Sequence, residues 1–224
     1  MKAVVLLSGG LDSTVCMSVA QKEGYEIYPI SFDYGQRHNR ETECAKMVAG
    51  FYGVVRHLII STNMGAIGGS ALTTDIDVPD GDETRNDIPI TYVPARNLIF
   101  LSYALGYAEV LDAGKIYIGV NAVDYSGYPD CRPEFIERFQ QLADYSTKAA
   151  TQDEKVIKVE TPLINLTKGE IVKLGMTNGA PLDLTTSCYR GGEKACGSCD
   201  SCLLRLRGFK EAGYSDPIPY EPFR

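Results

Sequence analysis

The sequence of 224 residues predicts an α/β protein with a doubly wound, mostly parallel sheet. Apolar runs of strand length alternate with helical stretches, which is the pattern of strand–helix–strand units with right-handed crossovers. In such a sheet, ligands bind at the carboxyl ends of the strands. Three polar, glycine-marked junctions follow predicted strands, at residues 8–13, 33–39 and 121–132. We therefore expect these junctions to converge on one site.

Short apolar runs are the predicted strands. The run at the N-terminal end is followed directly by a glycine turn, and later runs begin after Gly24, Gly53 and Gly114, which end the preceding helices. The predicted strands cover residues 3–7, 27–32, 54–60, 115–120 and 156–160.

Stretches with apolar residues at helical spacing separate these strands. Their ends carry helix signals: Asn39 is a capping residue, Pro133 stands at the permissive first helical position, and Thr167 with Glu170 forms a capping box. The predicted helices cover residues 13–22, 39–52, 96–111, 133–147 and 167–174.

The composition is that of a globular protein with one main core. With 44% hydrophobic residues, we expect one domain over residues 1–180 and a smaller segment over 181–224 packed on it. The apolar run after Lys2 is too short for a secretion signal, and no later run predicts a membrane span. We expect a cytoplasmic protein whose seven cysteines stay reduced.

The charge pattern bears on the partner. A net charge of −7 disfavours nucleic acid as a direct partner. Local basic groups, at residues 37–40 and 190–207, are explained by a smaller anion or by the charge of a metal–thiolate site.

A long segment, residues 61–95, breaks the alternation of strands and helices. It is rich in Gly, Thr, Asp and Pro and shows little periodicity. Loops of this length usually serve as lids, binding loops or contact surfaces. We expect a lid or a subunit interface, with plain disorder as the alternative.

Four cysteines near the C-terminal end have metal-ligand spacing. Cys188, Cys196, Cys199 and Cys202 form the pattern C-x7-C-x2-C-x2-C. Four thiolates form a closed tetrahedral site that suits one structural Zn²⁺ and adds folding free energy. An iron–sulfur cluster is the alternative, although the x3-C-P completion of the bacterial ferredoxin run is missing.

The first junction has the character of a phosphate-binding loop. Residues 8–14 read S-G-G-L-D-S-T between a predicted strand and a predicted helix. Glycines allow backbone N–H groups to approach an anion, hydroxyls add donors, and the helix N-terminus adds positive potential. The spacing is not that of a Walker A loop. It resembles the pyrophosphate loop (PP-loop) of enzymes that split ATP between the α and β phosphates, which implies AMP transfer.

Further motifs extend this resemblance over nearly the whole chain. They are F-D-Y-G-Q-R-H at residues 32–38, P-A-R-N at 94–97, D-Y-S-G-Y-P-D-C-R-P-E-F at 124–135, and the four cysteines. Together with the S-G-G-L-D-S loop they resemble the QueC family of 7-cyano-7-deazaguanine synthases. The resemblance implies a PP-loop (adenine nucleotide alpha hydrolase) fold of Rossmann-like type and a homodimer.

The same resemblance implies a reaction. ATP activates 7-carboxy-7-deazaguanine as an acyl adenylate, ammonia converts it to an amide, and a second adenylation removes the amide oxygen to give 7-cyano-7-deazaguanine. The product is a precursor of queuosine-type tRNA nucleosides. We therefore expect an ATP-dependent ligase that forms a carbon–nitrogen bond.

The resemblance also implies roles for individual residues. Asp12 is expected to hold Mg²⁺, because a bare carboxylate would repel pyrophosphate. Catalytic roles fall on Asp12 and on Arg37, His38 and Arg96, which would neutralise phosphate or the developing charge on the substrate. For each of the two arginines a surface salt bridge is the alternative. The expected ATP-binding residues are Leu7, Ser8, Gly9, Gly10, Leu11, Asp12, Ser13, Thr14, Val15, Cys16 and Met17.

The base pocket is expected in the third junction. Its tyrosines offer faces for stacking, and Asp130 would accept hydrogen bonds from the guanine-like edge. A plain Gly-Pro turn is the alternative. The expected substrate-binding residues are Tyr125, Ser126, Tyr128, Asp130 and Arg132.

Other functions compete with this interpretation. A PP-loop tRNA thiolase would adenylate a base oxygen and transfer sulfur, and an ATP-dependent amidating synthetase would stop at the amide. A zinc-ribbon interaction module would explain the cysteines but not the phosphate loop.

Overall fold

In the computed structural model, which describes residues 1–82, 87–123 and 127–222, the chain forms a five-stranded, all-parallel sheet. The strand order is β3-β2-β1-β4-β5. This confirms the predicted fold class. The strands are β1 (Lys2–Leu6), β2 (Glu26–Asp33), β3 (Leu58–Ser61), β4 (Lys115–Tyr117) and β5 (Lys158–Glu160).

Helices cover both faces of the sheet. Short 3-10 turns lie at Met64–Ile67, Pro129–Cys131 and Leu182–Leu184. The α-helices are α1 (Leu11–Lys22), α2 (Arg40–Phe51), α3 (Arg96–Leu111), α4 (Pro133–Ser146), α5 (Lys148–Thr151), α6 (Lys168–Asn178) and α7 (Asp200–Ala212).

The position of β1 in the centre of the sheet explains why its sequence is apolar without alternation. Val4 and Leu6 face one core, which also holds residues of α3 and α4. Ala3 and Val5 face the other core, with residues of α1 and α6. Successive side chains of a strand point to opposite faces, so a strand covered on both faces must be apolar at every position. The strand order reverses between β1 and β4, and ligands bind at such a switch point.

The first residues of α6 and α2 test the helix caps that the sequence predicts. The capping box at α6 is confirmed, because Thr167 Oγ1 accepts from the Glu170 amide and Glu170 Oε2 accepts from the Thr167 amide. Asn39 precedes α2 as predicted, but its side chain makes no capping hydrogen bond. The backbone of Asn39 has φ −85° and ψ 2°, which is not the extended conformation of a capping residue.

Other boundaries differ from the predictions. The third strand begins at Leu58 rather than at residue 54, and the fourth ends at Tyr117 rather than at residue 120. Helix α6 continues to Asn178, four residues beyond the predicted end, and stops at Gly179 with a left-handed backbone (φ 72°). Helix α7 was not predicted, because its cysteine and its charged residues were interpreted only as a metal site and its counterions.

The long segment 61–95 is packed in its described part, so plain disorder is wrong there. Met64, Leu72, Val78 and Val93 are buried in the core on the α3 side of the sheet. The Gly81 amide donates to the carbonyl of Ser198, 2.7 Å away. The segment thus joins the sheet domain to the cysteine segment.

The C-terminal segment shares the cores of the sheet domain. Phe209 of α7 packs with residues of α1 and α6, and Cys188, Cys199 and Cys202 belong to the core on the α3 side. In the described parts of the chain, no helix has the length and apolarity needed to cross a membrane.

Candidate active site

A cavity of about 260 Å³ lies at the carboxyl ends of the strands. Residues of all three polar junctions line it, including Ser8, Tyr34 and Tyr128. The C-terminal segment closes it with Tyr189 and Arg205. The junctions therefore converge, as the parallel sheet predicted.

The loop after β1 is a compact turn held by its own hydroxyl groups. Ser13 Oγ donates to the Gly10 carbonyl at 3.0 Å and accepts from the Ser8 amide at 3.2 Å. Gly9 has a left-handed backbone (φ 81°), and a side chain there would collide with the backbone of α2 at Glu41 and Ala45. Gly10 has no side chain to cap α1, so the first amides of α1 face the cavity without a capping group. This geometry suits an anion.

Asp12 is paired with a lysine that sequence reasoning missed. The Lys168 Nζ lies 2.8 and 2.7 Å from the two carboxylate oxygens of Asp12, and both side chains line the cavity. Lys168 is the first residue of α6, and a side chain at Gly208 of α7 would collide with it. A lysine in the first turn opposes the helix dipole, and this was the available sequence signal. The pair brings opposite charges to the phosphate loop.

Arg205 is a second cation that the tertiary structure brings to the cavity. Only 2% of its surface is exposed. Its Nε and Nη2 donate to the two carboxylate oxygens of Asp216 at 2.7 and 3.0 Å, and its Nη1 donates to Thr185 Oγ1 at 2.7 Å. In the sequence, Arg205 is part of the basic group at residues 190–207, for which a smaller anion or the charge of a metal–thiolate site is the explanation. The structure instead fixes it as a bidentate ion pair beside the cavity.

One wall of the cavity is aromatic and also contains a carboxylate, Glu41, and a guanidinium group, Arg96. The pKa of Tyr34 is raised to about 12. Burial is the main cause and the charge of Glu41 adds to it, whereas Arg96 acts in the opposite direction. Burial also raises the pKa of Glu41, against the opposing effect of Arg96 and His38. Burial lowers the pKa of Arg96, but Tyr34, Tyr128 and Glu41 together raise it by more. The pKa of Arg96 therefore lies above its ordinary value, and the guanidinium stays charged. The Tyr128 hydroxyl lies 3.0 Å from Thr91 Oγ1, in the long segment 61–95.

The expected ATP-binding segment divides into two parts. Six of its residues line the cavity: Leu7, Ser8, Gly10, Leu11, Asp12 and Ser13. Gly9 packs on α2, and the Thr14 hydroxyl donates to the Gly10 carbonyl. Val15, Cys16 and Met17 are fully buried in the core behind the loop.

Arg37 and His38 do not line the cavity. Arg37 is exposed, and its Nη1 donates to the Ile76 carbonyl at 2.7 Å. The His38 ring packs against Gly191, and its Nδ1 is buried without a hydrogen-bond partner among the described residues. Both follow β2 in sequence, but the chain turns away from the cavity after Tyr34.

The expected base pocket is only partly assembled as predicted. Tyr125 and Ser126 lie outside the described residues. Tyr128 lines the cavity, but Arg132 is exposed at the start of α4. Asp130 is buried and engaged: its Oδ2 accepts from the Asn97 amide at 3.0 Å, at the N-terminus of α3. Asp130 therefore caps a helix and does not line the cavity.

The four predicted cysteine ligands come together. The Sγ atoms of Cys188, Cys196, Cys199 and Cys202 all lie within 4.8 Å of one another. Backbone amides point at them: the Cys196 amide donates to Cys188 Sγ at 3.4 Å, and the Cys199 amide donates to Cys196 Sγ at 3.3 Å. The cluster has the donor set to hold a metal ion.

Comparison with known proteins identifies a family. A family model described as "Queuosine biosynthesis protein QueC" matches residues 2–213 of the chain. A 7-cyano-7-deazaguanine synthase from Acetivibrio thermocellus is 64% identical over 220 residues, which cover 98% of this chain and 97% of that protein. A 7-cyano-7-deazaguanine synthase from Oceanobacillus iheyensis is 58% identical, with 98% of each chain covered.

Solved structures share the fold at low sequence identity. The NMN synthetase from Francisella tularensis superposes with a TM-score of 0.50 at 16% identity, over 96% of this chain and 87% of that chain. A predicted subunit of tRNA methyltransferase from Methanocaldococcus jannaschii superposes with a TM-score of 0.50 at 17% identity, over 99% and 92%. At these identities the likeness concerns the fold alone.

Proposed function

The chain belongs to the QueC family of queuosine biosynthesis proteins, and we propose that its cavity converts 7-carboxy-7-deazaguanine, ammonia and ATP into 7-cyano-7-deazaguanine. The observation that carries this proposal is the composition of the cavity walls. The phosphate loop with its Asp12–Lys168 pair forms one wall, and an aromatic wall suited to a flat base faces the same space.

The phosphate loop binds the pyrophosphate half of ATP. Ser8 and Ser13 hold the turn, and the first amides of α1 point toward the anion. Lys168 supplies positive charge for the phosphates. We assign Asp12 to hold Mg²⁺, and bound Mg²⁺ would neutralise charge on the phosphate oxygens.

The first half of the reaction makes an amide. A carboxylate oxygen of the base attacks the α-phosphorus of ATP, and pyrophosphate leaves. Ammonia then attacks the activated carbonyl carbon, AMP departs with the former carboxylate oxygen, and one proton is lost from nitrogen. Cations around the cavity, Lys168 and Arg205 among them, stabilise the negative charge that develops.

The second half removes the remaining oxygen. The amide oxygen attacks the α-phosphorus of a second ATP, and pyrophosphate leaves again. Loss of AMP with the amide oxygen, together with the two N–H protons, creates the carbon–nitrogen triple bond. The enzyme is thus an ATP-dependent ligase that forms two AMP and two pyrophosphate per nitrile.

The residues expected to be catalytic do not all retain that role in this proposal. Asp12 and Arg96 line the cavity and remain assigned to it. Arg37 and His38 lie outside the lining, so we assign them no direct contact with substrate.

The four-cysteine cluster binds Zn²⁺ in this proposal. Zinc–sulfur bonds of about 2.3 Å in a tetrahedron require sulfur atoms close to the separations present here. With four thiolates the site is closed, so zinc takes no part in the reaction and stabilises the C-terminal segment. A location in the cytoplasm is part of the same proposal, because a reducing compartment keeps thiols unoxidised. A homodimer remains a prediction of the family resemblance, which light scattering would test.

The test is product analysis. Purified protein is incubated with 7-carboxy-7-deazaguanine, ammonium and Mg-ATP, and the base and nucleotide products are weighed by mass spectrometry. We expect the nitrile with two AMP for each base. Accumulation of the amide alone would indicate an amidating synthetase, and a requirement for tRNA would indicate a thiolase. ADP in place of AMP would refute the assigned bond cleavage.

A further inference from the structure

The Glu41 carboxylate lies in the cavity wall, and no group in the described parts of the chain donates a hydrogen bond to it. It lies in the first turn of α2 and lines the cavity next to Tyr34 and Arg96. Across residues 1–82, 87–123 and 127–222, no side chain or amide donates a hydrogen bond to its carboxylate, and no ion pair joins it to Arg96. Its neighbour Glu43, by contrast, is exposed and pairs with Arg40 at 3.7 Å.

The Glu41 side chain is half-buried, so its carboxylate loses part of its hydration. Without a hydrogen-bond partner this lost hydration is not replaced, which destabilises the protein. The positive charge of Arg96 offsets part of this loss, but the oxygen lone pairs of Glu41 remain open to the cavity. Acids in this state, placed in a cleft, are typical of binding and catalytic sites. The open lone pairs are suited to a ligand that brings its own N–H donors.

The surroundings of Glu41 indicate what kind of ligand this is. Tyr34, Phe100 and Tyr128 line the same space and offer faces for a flat heterocycle. Arg96 offers N–H donors beside the acceptors of Glu41. A base of the guanine type presents the complementary edge: a carbonyl oxygen followed by a ring N–H and an exocyclic amino group. Asp130, the acid that the sequence suggested for this edge, is engaged at the start of α3.

We propose that Glu41 determines specificity for the base, by accepting hydrogen bonds from the ring N–H and the exocyclic amino group, while Arg96 donates to the neighbouring carbonyl oxygen. This inference rests on the proposed function and names a contact that the function does not require. A base that lacks the exocyclic amino group would leave one lone pair of Glu41 unmatched.

The proposal predicts a measurable preference. Hydrogen bonds to charged groups contribute enough to change affinity by about 10- to 100-fold. We therefore expect the wild type to bind 7-carboxy-7-deazaguanine about 10- to 100-fold more tightly than its analogue without the amino group. In Glu41→Gln the preference should fall at least about tenfold. Most of this change should appear in KM, since the phosphate loop is untouched.

The experiment measures KM and kcat for both bases, and ATP binding separately, in the wild type, Glu41→Gln and Glu43→Gln. Glu43→Gln is the matched control, because it makes the same change two residues away on the exposed face. Loss of the preference in Glu41→Gln alone, with ATP binding retained, supports the proposal.

Two results would overturn it. If Glu41→Gln keeps the preference of the wild type, Glu41 does not recognise the amino group. If Glu41→Gln loses kcat with both bases while the preference persists, the carboxylate acts in the chemistry instead. Failure of the wild type to convert either base would refute the proposed function and is therefore a separate outcome.

Discussion

Replacing Lys168 by Met separates the structural role of the Asp12–Lys168 pair from its role in the reaction. Met has nearly the same length but no charge, so Asp12 loses its ion pair while the packing against Gly208 is preserved. The exposed fractions of the two side chains are 11% for Lys168 and 29% for Asp12. Breaking a buried pair costs about 3–5 kcal/mol and an exposed pair about 0–1 kcal/mol. For this partly exposed pair we expect a loss of about 2 kcal/mol.

For a chain of this length, about 2 kcal/mol corresponds to a decrease in Tm of roughly 4–8 °C, which calorimetry resolves. AMP formation should fall by about 10²- to 10³-fold, as when one preorganised donor is removed from a transition state. Lys173→Met is the control, since Lys173 is exposed on the same helix. Asp12→Asn combined with Lys168→Met should recover most of the stability but none of the activity. Unchanged kcat in a destabilised Lys168→Met would show that the lysine is only structural.

Three further results are expected. Gly9→Ala should lose at least about 3 kcal/mol in denaturant unfolding, because its methyl group would lie 2.6 Å from the Ala45 amide nitrogen and its φ is 81°; Gly10→Ala, with more space, should stay close to wild type. Burial raises the pKa of Glu41 above its ordinary value of 4.5, so the folded state binds this proton more tightly than the unfolded state does. Protonation of Glu41 therefore stabilises the folded state at low pH, and this contribution is lost as pH rises. The Tm of Glu41→Gln relative to wild type should therefore increase from pH 4 to neutrality, and a flat difference would contradict the burial. Cys199→Ser should reduce zinc measured by emission spectrometry well below one equivalent and lower Tm, whereas Cys131→Ser, outside the cluster, should retain the metal.

Local patterns in the sequence were sufficient to predict the fold class and the features built from residues that lie close together in the chain. The uninterrupted apolar run of β1 indicates a strand buried on both faces, and the Thr167–Glu170 pair indicates a helix start, because both effects act over a few residues. The cysteine spacing brings its ligands together for the same reason.

Such patterns could not predict contacts between residues that lie far apart in the sequence. Lys168 and Asp12 are 156 positions apart and meet only because α6 packs beside α1. Helix α7 brings Arg205 to the cavity, and its amphipathic pattern was hidden by the interpretation of the segment as a metal site. The hydrophobic periodicity of the sequence carries no information on these long-range contacts.

The amino-acid sequence was enough to predict the parallel sheet, the glycine turn before α1, the clustering of the four cysteines and the family, since each depends on short-range geometry or on motifs. Only the tertiary structure decided that Glu41, and not Asp130, lines the cavity beside its aromatic residues. Asp130 and Glu41 have the same chemistry, but one accepts the amide of Asn97 and the other has no internal donor among the described residues. Availability for a ligand depends on the partners that folding supplies, and those partners come from other parts of the chain.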